Sequence, residues 1–281
     1  MPDGGWLQAV TALREAREPG VLVTVAHVAG HAPRDAGAKM VVGVAATWGT
    51  VGGGNVEAVA IDRAREVLRR GGGVELTATA LSDKAPLQHG VQCCGGSVTL
   101  LFEPLPVVPA VAIFGVGHVG LELARILARH DLELHLVDTR PEQLTAARLA
   151  CLADSVARVR VHRHAVLPEV ALGELPPGAH LLVMTHDHAE DLALCDAVLR
   201  SGQWGSIGLI GSAAKWSRFR PALAEHGHSA STIDRVEIPV GLAELAGKEP
   251  AVVAVSVAAR LLQRWAVPAG AQPMTPPGAT A

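Results

Sequence analysis

Tyrosine is missing from this chain of 281 residues, and it holds only three phenylalanines and five tryptophans. So few aromatic rings leave no base-stacking surface for a nucleic acid, and the lack of tyrosine rules out any Ser–Lys–Tyr proton relay. Charge of one sign is equally scarce. Lys and Arg number 24 against 27 Asp and Glu, a formal net charge of −3 with no basic cluster. That argues against nucleic acid or a membrane surface as a partner. Hydrophobic residues make up 49% of the chain, yet most are Ala and Val. No run approaches the ~18 apolar residues that a spanning helix requires. Residues 1–10 show no cationic stretch leading into an apolar one, so no secretory signal is expected there. With four cysteines in the whole chain, a reduced cytoplasm is the expected compartment.

What is present falls into three zones, and the fold class expected is α/β. Residues 1–104 read as a smaller N-terminal α+β domain, with strands at Val21–Val28, Met40–Ala46, Leu76–Leu81 and Val98–Phe102 around a helix at Asn55–Arg70. The proline-rich stretch EPLPVVPA (Glu103–Ala110) cannot continue a helix or a central strand and marks the boundary. Residues 105–267 read as a C-terminal Rossmann-like domain with a parallel sheet, closed by a strand in RVEIPVGL and a helix from about Pro250 to Trp265. Its strands are Val111–Phe114, Leu134–Asp138, Leu181–Thr185 and Ile207–Ile210, and they alternate with helices at Val119–Arg129, Glu142–Leu149 and Asp191–Arg200. Residues 268–281, rich in Pro, Gly and Ala, read as a disordered tail.

Glycine marks the candidate sites. FGVGHVG spaces Gly115, Gly117 and Gly120 as G-x-G-x-x-G between a strand and a helix, and Asp138 closes the next strand. In that context the first glycine makes the turn, the second admits a pyrophosphate, the third packs helix on strand, and the carboxylate bonds a ribose hydroxyl. His186 and Ser212 follow the next two strands, so both belong on the same rim beyond the strands' carboxyl ends. Each also has a plainer explanation nearby, because Asp187 and Ser212 are suitable helix N-caps. In the first domain Gly52, Gly53 and Gly54 precede a helix, with Asn55 as its expected N-cap; three successive N–H groups there form a nest suited to an anion. Glu57 complements the helix dipole.

VQCCGGSVTLLFEP (Val91–Pro104) sets two cysteines before two glycines and an apolar strand. Adjacent cysteines make a strained bridge and a poor shared zinc site. Gly95 and Gly96 would let a bulky ligand reach the sulfur and leave N–H groups to stabilise a thiolate. Cys151 and Cys195 read as small buried hydrophobes.

GTVGGGNVE, QCCGGSV, FGVGHVGLELARIL with VDTRPE, THDHAEDL and IGLIGSAAKWSRF together resemble the XdhC/CoxI family of accessory proteins for molybdenum hydroxylases, over residues 20–265. The resemblance implies a chaperone rather than an enzyme. Such a protein binds the molybdenum cofactor, a molybdopterin, and holds it while a cysteine desulfurase supplies the terminal sulfido ligand. It then inserts the cofactor into apo-xanthine dehydrogenase, and the family is typically a homodimer. By the same resemblance Cys94, beside the glycines, is the sulfur nearest molybdenum, with Cys93 secondary. Two departures stand out. The family's loop usually has Ala where this chain has Val116, which is expected to crowd a pyrophosphate, and the Arg of its G-S-R-x-K is absent between Ser212 and Lys215. The alternative is an NAD(P)-dependent oxidoreductase working through the glycine fingerprint. His118 and His186 are its evident acid–base candidates.

Overall fold

The computed structural model describes residues 5–80, 96–163, 168–201, 203–245 and 247–265. Cys93, Cys94, Gly95 and the expected tail at 268–281 lie outside them. The described chain forms two compact units that meet in sequence between Val107 and Val108.

The first unit is an antiparallel sheet with a helix on each face. Its strands are β1 (Gly20–Ala29), β2 (Lys39–Gly43), β3 (Thr47–Gly49), β4 (Glu75–Ala80) and β5 (Ser97–Leu105), in the order β3-β2-β1-β5-β4. Side chains alternate along a strand. Val21, Val23 and Val25 therefore face helix α2 (Gly54–Arg70), while Leu22 turns to the opposite face and helix α1 (Trp6–Ala16). Burial of both faces of the first half of β1 explains why Val21–Val25 is apolar apart from Thr24, whereas the strand turns exposed from Ala26 on. On α2 the buried residues Val56, Ala60, Ala64 and Val67 form one stripe against Met40, Val98, Leu100 and Phe102. Left-handed Gly71 ends the helix: its N–H returns to the carbonyl of Leu68, and the N–H of Gly72 to that of Val67. Helix α1 was not foreseen, and β5 continues through Pro104, opposite Val21 of β1. On the β4 side the proline interrupts no ladder, because that pairing ends at Glu75 and Phe102.

The second unit is a six-stranded parallel sheet. Its strands are β6 (Ala110–Phe114), β7 (Glu133–Val137), β8 (Arg158–His162), β9 (His180–Val183), β10 (Ser206–Leu209) and β11 (Val236–Glu237), in the order β11-β10-β9-β6-β7-β8. The order reverses between β6 and β9, the point where a doubly wound sheet opens a crevice. Helix α3 (His118–Leu127) and the last helix of the unit, at 250–265, cover one face through Leu123, Leu127, Val257 and Leu261. The other face packs against Leu194, Val198, Phe219 and Leu223 of two helices at 188–201 and 213–225. The helix expected at Glu142–Leu149 is instead a 3-10 turn at Pro141–Leu144 and a single α turn, α4 (Ala146–Leu149), capped by Thr145. The remaining helices are α5 (His188–Ser201), α6 (Ala213–Glu225), α7 (Ala230–Ile233) and α8 (Pro250–Trp265).

At the opposite end of this sheet, the indole Nε1 of Trp265 donates to His180 Nε2 at 2.9 Å, and His180 Nδ1 lies 2.8 Å from Ser206 Oγ. Indole only donates, so Nε2 accepts and the ring is the neutral Nδ1–H tautomer. The contact ties the end of α8 to the starts of β9 and β10.

Candidate functional site

In the second unit the three fingerprint glycines have different reasons to exist. Gly115, at φ +102°, has no room for a side chain: a Cβ there would stand 2.3 Å from the carbonyl oxygen of Met184. A Cβ on Gly120 would stand 2.1 Å from the carbonyl oxygen of Gly115. Both are fixed by packing, one at the switch point and one between helix and turn. At Gly117 a Cβ would meet only Arg140 Nη2, at 3.8 Å, so the space beside it is open.

Asp138 faces inward. Its carboxylate accepts from Val116 N–H at 2.7 Å, Arg140 N–H at 3.0 Å, and Arg140 Nε and Nη2 at 2.9 Å each. Burial works to raise its pKa, but the hydrogen bonds from Arg140 and Val116 outweigh it and hold the carboxyl below its ordinary range. Four donors on two oxygens use the acceptor positions a ribose diol would need. Val116 does not crowd the crevice as expected. Its side chain is fully buried in the apolar layer with Leu123 and Val257, and the residue presents its N–H to Asp138. An apolar side chain at this turn gains more by folding inward than by standing in solvent.

The loop after β7 and the first turn of α5 are joined by Thr139 Oγ1, which donates to Glu190 Oε2 at 3.1 Å; burial pushes the Glu190 carboxyl upward. His186 and Ser212 line one pocket of ≈ 380 Å³ together with Thr185, Gly211 and Arg218. Ser212 also caps α6, accepting from Lys215 N–H at 3.4 Å, and Asp187 accepts from Ala189 and Glu190 N–H at 2.6 and 3.2 Å. Beneath them lies a buried ion pair. Lys215 Nζ bonds Asp191 Oδ2 and, at 3.0 Å, the carbonyl of Ile210, while Asp191 Oδ1 accepts from Thr185 N–H at 3.0 Å. This pair joins the ends of β9 and β10, and the sequence reading missed Asp191. The signal was present: Asp191 sits on the stripe of Leu194, Cys195 and Val198, a carboxylate where the pattern calls for an apolar residue. Burial, with the Asp191 charge adding to it, drives the Cys195 thiol up to about 12. Cys151 departs from expectation, because it is exposed at a 3-10 turn.

In the first unit Gly52, Gly53 and Gly54 all take positive φ, at +146°, +70° and +58°. Gly53, rather than Asn55, is the N-cap of α2 and supplies no side chain to the cap. Two of the N–H groups expected to meet an anion are engaged within the loop: Gly52 N–H with Thr50 Oγ1 and Gly53 N–H with Glu57 Oε2, each at 3.2 Å. Thr50 Oγ1 in turn donates to Glu57 Oε2. Added Cβ atoms at Gly53 and Gly54 would meet nothing within 4 Å, so bare backbone faces open space there. Asn55 Oδ1 is buried with no hydrogen-bond partner.

The segment after β1 brings the two halves of this site together. A Cβ on Gly52 would stand 2.7 Å from Pro33 Cγ, and one on Gly96 would stand 2.3 Å from the carbonyl of His31. Gly96 is thus glycine because β1's end lies against it. The glycine loop and the strand entry that follows the cysteine pair flank the same three residues, His31–Pro33. Neither this segment nor Arg34 beside it carried a sequence signal beyond a loop. Among the described residues no group of three His, Cys, Asp or Glu side chains is placed to hold a metal ion, and no helix is long and apolar enough to cross a membrane.

Comparison with known proteins agrees with this division. Residues 13–78 match the XdhC and CoxI family, and residues 111–261 match the XdhC Rossmann domain. The uncharacterized protein YqeB of Escherichia coli (strain K12) is 24% identical over 262 residues, covering 89% of this chain and 44% of that protein. The chain therefore spans less than half the length of this curated relative. A solved structure described as a xanthine dehydrogenase from Bacillus halodurans aligns over 97% of this chain and 98% of its own, with 19% identity and a TM-score of 0.48. With family models matching both units in order, the chain belongs to the XdhC and CoxI family, and its second unit is an XdhC Rossmann domain.

Proposed function

We propose that this chain is an accessory protein of xanthine dehydrogenase maturation. In this reading it binds the molybdenum cofactor, holds it while a cysteine desulfurase partner supplies the sulfido ligand, and delivers it to the apo-enzyme, acting as a homodimer and not as a catalyst. The observation that carries the reading is the match of both units, in order, to XdhC families.

The residues of the first unit fit such a cargo. Bare backbone at Gly53 and Gly54 leaves room for a bulky ring system. The orphaned acceptor Asn55 Oδ1 suits the amino and ring N–H donors of a pterin, since a buried unpaired carbonyl is costly until a donor reaches it. With Gly52 and Gly53 N–H engaged internally, Arg34, next in sequence to Pro33, is the candidate for the cofactor's phosphate. Cys94 supplies the soft sulfur for molybdenum. The oxidoreductase alternative loses its ribose anchor, because the Asp138 carboxylate is filled by Arg140 and Val116.

The test is purification from a host that makes molybdenum cofactor, with bound pterin identified as its fluorescent oxidation product and the protein then offered to apo-xanthine dehydrogenase. Co-purifying pterin and accelerated reactivation are expected. Protein that carries no pterin and leaves reactivation unchanged overturns the reading.

A further inference from the structure

The Rossmann unit holds two neighbouring cavities beyond the ends of β9, β10 and β11, and their chemistry differs. The first, ≈ 380 Å³, is lined by His186, His188, Ser212 and Arg218. Its floor is the Lys215–Asp191 pair, whose charges cancel. Arg218 has no carboxylate partner among the described residues, so its guanidinium is the cavity's net charge. Of the acidic neighbours of the histidines, Asp187 is occupied in capping α5, and Glu190, which also acts on His186, accepts from Thr139 Oγ1. The second cavity, ≈ 440 Å³, is lined chiefly by apolar groups, among them Pro239, Val240, Leu242 and Val253. Its hydroxyl, Ser256 Oγ, is spent on the N–H and carbonyl of Leu242. Ile210 and Gly211 line both cavities, so the two meet at the end of β10.

A cationic pocket opening onto an apolar one suits a ligand with an anionic head and an apolar or planar body. On the other side of the switch point, the group that would read an adenosine ribose is closed by Arg140. We propose that the second unit binds an organic phosphate of single-nucleotide size. Its phosphate lies among Arg218, His186 and His188, its planar body lies in the apolar cavity, and no dinucleotide is accepted. This site uses neither the cysteine pair nor the triple-glycine loop, so it stands apart from cofactor binding in the first unit.

The experiment is calorimetric titration of the full-length protein, made in a host lacking molybdenum cofactor, with four probes: riboflavin 5′-phosphate, riboflavin, inorganic phosphate and NAD⁺. Saturable binding of riboflavin 5′-phosphate is expected, roughly tenfold tighter than riboflavin and displaced by inorganic phosphate, with NAD⁺ no tighter than phosphate itself. Arg218→Ala and Leu245→Asp, the second in the wall of the apolar cavity and both at exposed positions, are expected to keep the wild-type circular dichroism and to weaken riboflavin 5′-phosphate roughly tenfold and several-fold. The proposal is overturned if riboflavin 5′-phosphate does not bind, or if a folded Arg218→Ala binds it as wild type does. It is also overturned if NAD⁺ binds more tightly and Asp138→Asn abolishes that binding.

Discussion

Arg140 grips both carboxylate oxygens of Asp138, Nε to Oδ1 and Nη2 to Oδ2, at 2.9 Å each. Replacing Asp138 with Asn removes charge-assisted bonds from a buried group and leaves the guanidinium short of its acceptors. A loss of about 1–3 kcal/mol is expected, with no gain of nucleotide binding. The carboxyl's pKa is depressed in the fold, so its stabilising contribution is in place above the unfolded value and is lost as pH falls through the folded one. Urea midpoints of wild type and Asp138→Asn are expected to converge in acid below about pH 4; a constant gap would refute the assignment.

His180 gives a second pH dependence, of the same sign and at higher pH. Burial, followed by the charge of Arg264, lowers its folded pKa below 6.5. As pH drops below the unfolded value the unfolded chain takes up a proton that folded His180 resists, so stability falls until the folded pKa is passed. Denaturation midpoints between about pH 7 and 5 should slope less in His180→Gln than in wild type. Equal slopes would show that other histidines carry the effect.

Gly53→Val places a β-branched residue at φ +70° and ψ 179°, a region essentially confined to glycine, where strain costs about 1–3 kcal/mol. That is a fraction of a domain's stability of about 5–15 kcal/mol, so the protein is expected to fold with a modestly lower Tm. Pterin content should drop because the side chain fills the open approach. Normal pterin in the folded variant would mean the loop is only a turn.

Cys94→Ala is expected to abolish or strongly weaken cofactor binding, and Cys93→Ala to matter less. A lost sulfur in packing costs at most ~1–2 kcal/mol, too little to unfold the domain. Bound pterin, circular dichroism and reactivation of apo-xanthine dehydrogenase decide the question together. If Cys94→Ala carries and delivers cofactor as wild type does, the cysteine pair is structural.

The remaining thiols should differ sharply. Exposed Cys151 is expected to react with a maleimide within the folded protein, whereas Cys195, buried with its thiol pushed up to about 12, should be labelled only after denaturation. Peptide mapping by mass spectrometry reads both at once.

Much of the second unit was legible because parallel strands buried on both faces leave short apolar runs, such as Ala110–Phe114, that end in glycine or a polar rim. Strand β8 escaped notice because it is an edge: RVRVH alternates charge with valine and is half exposed. Ser212 signalled the start of helix α6 as a suitable N-cap, but the helix's polar surface and Pro221 inside it hid its extent. The candidate glycines were visible as letters, but their reasons were not. Gly115 and Gly96 answer to backbone lying against them from Met184 and His31, contacts that only the folded chain creates. The same holds for Asp138. An acidic residue at a strand end looks identical whether it awaits a ribose or is locked by an arginine two residues on.

The Asp191–Lys215 pair also bears on how this sequence can drift. Removing one partner strands the other as a buried charge, at about 3–5 kcal/mol, and frees the Thr185 N–H or the Ile210 carbonyl that it holds. Exchanging both for apolar residues of similar volume removes the charges together, so what is left is the smaller cost of freeing the Thr185 N–H and the Ile210 carbonyl. Positions 191 and 215 should therefore change as a couple. A combinatorial library randomised at both and sorted for folded protein is expected to return the wild-type pair or double apolar exchanges, with each single exchange depleted.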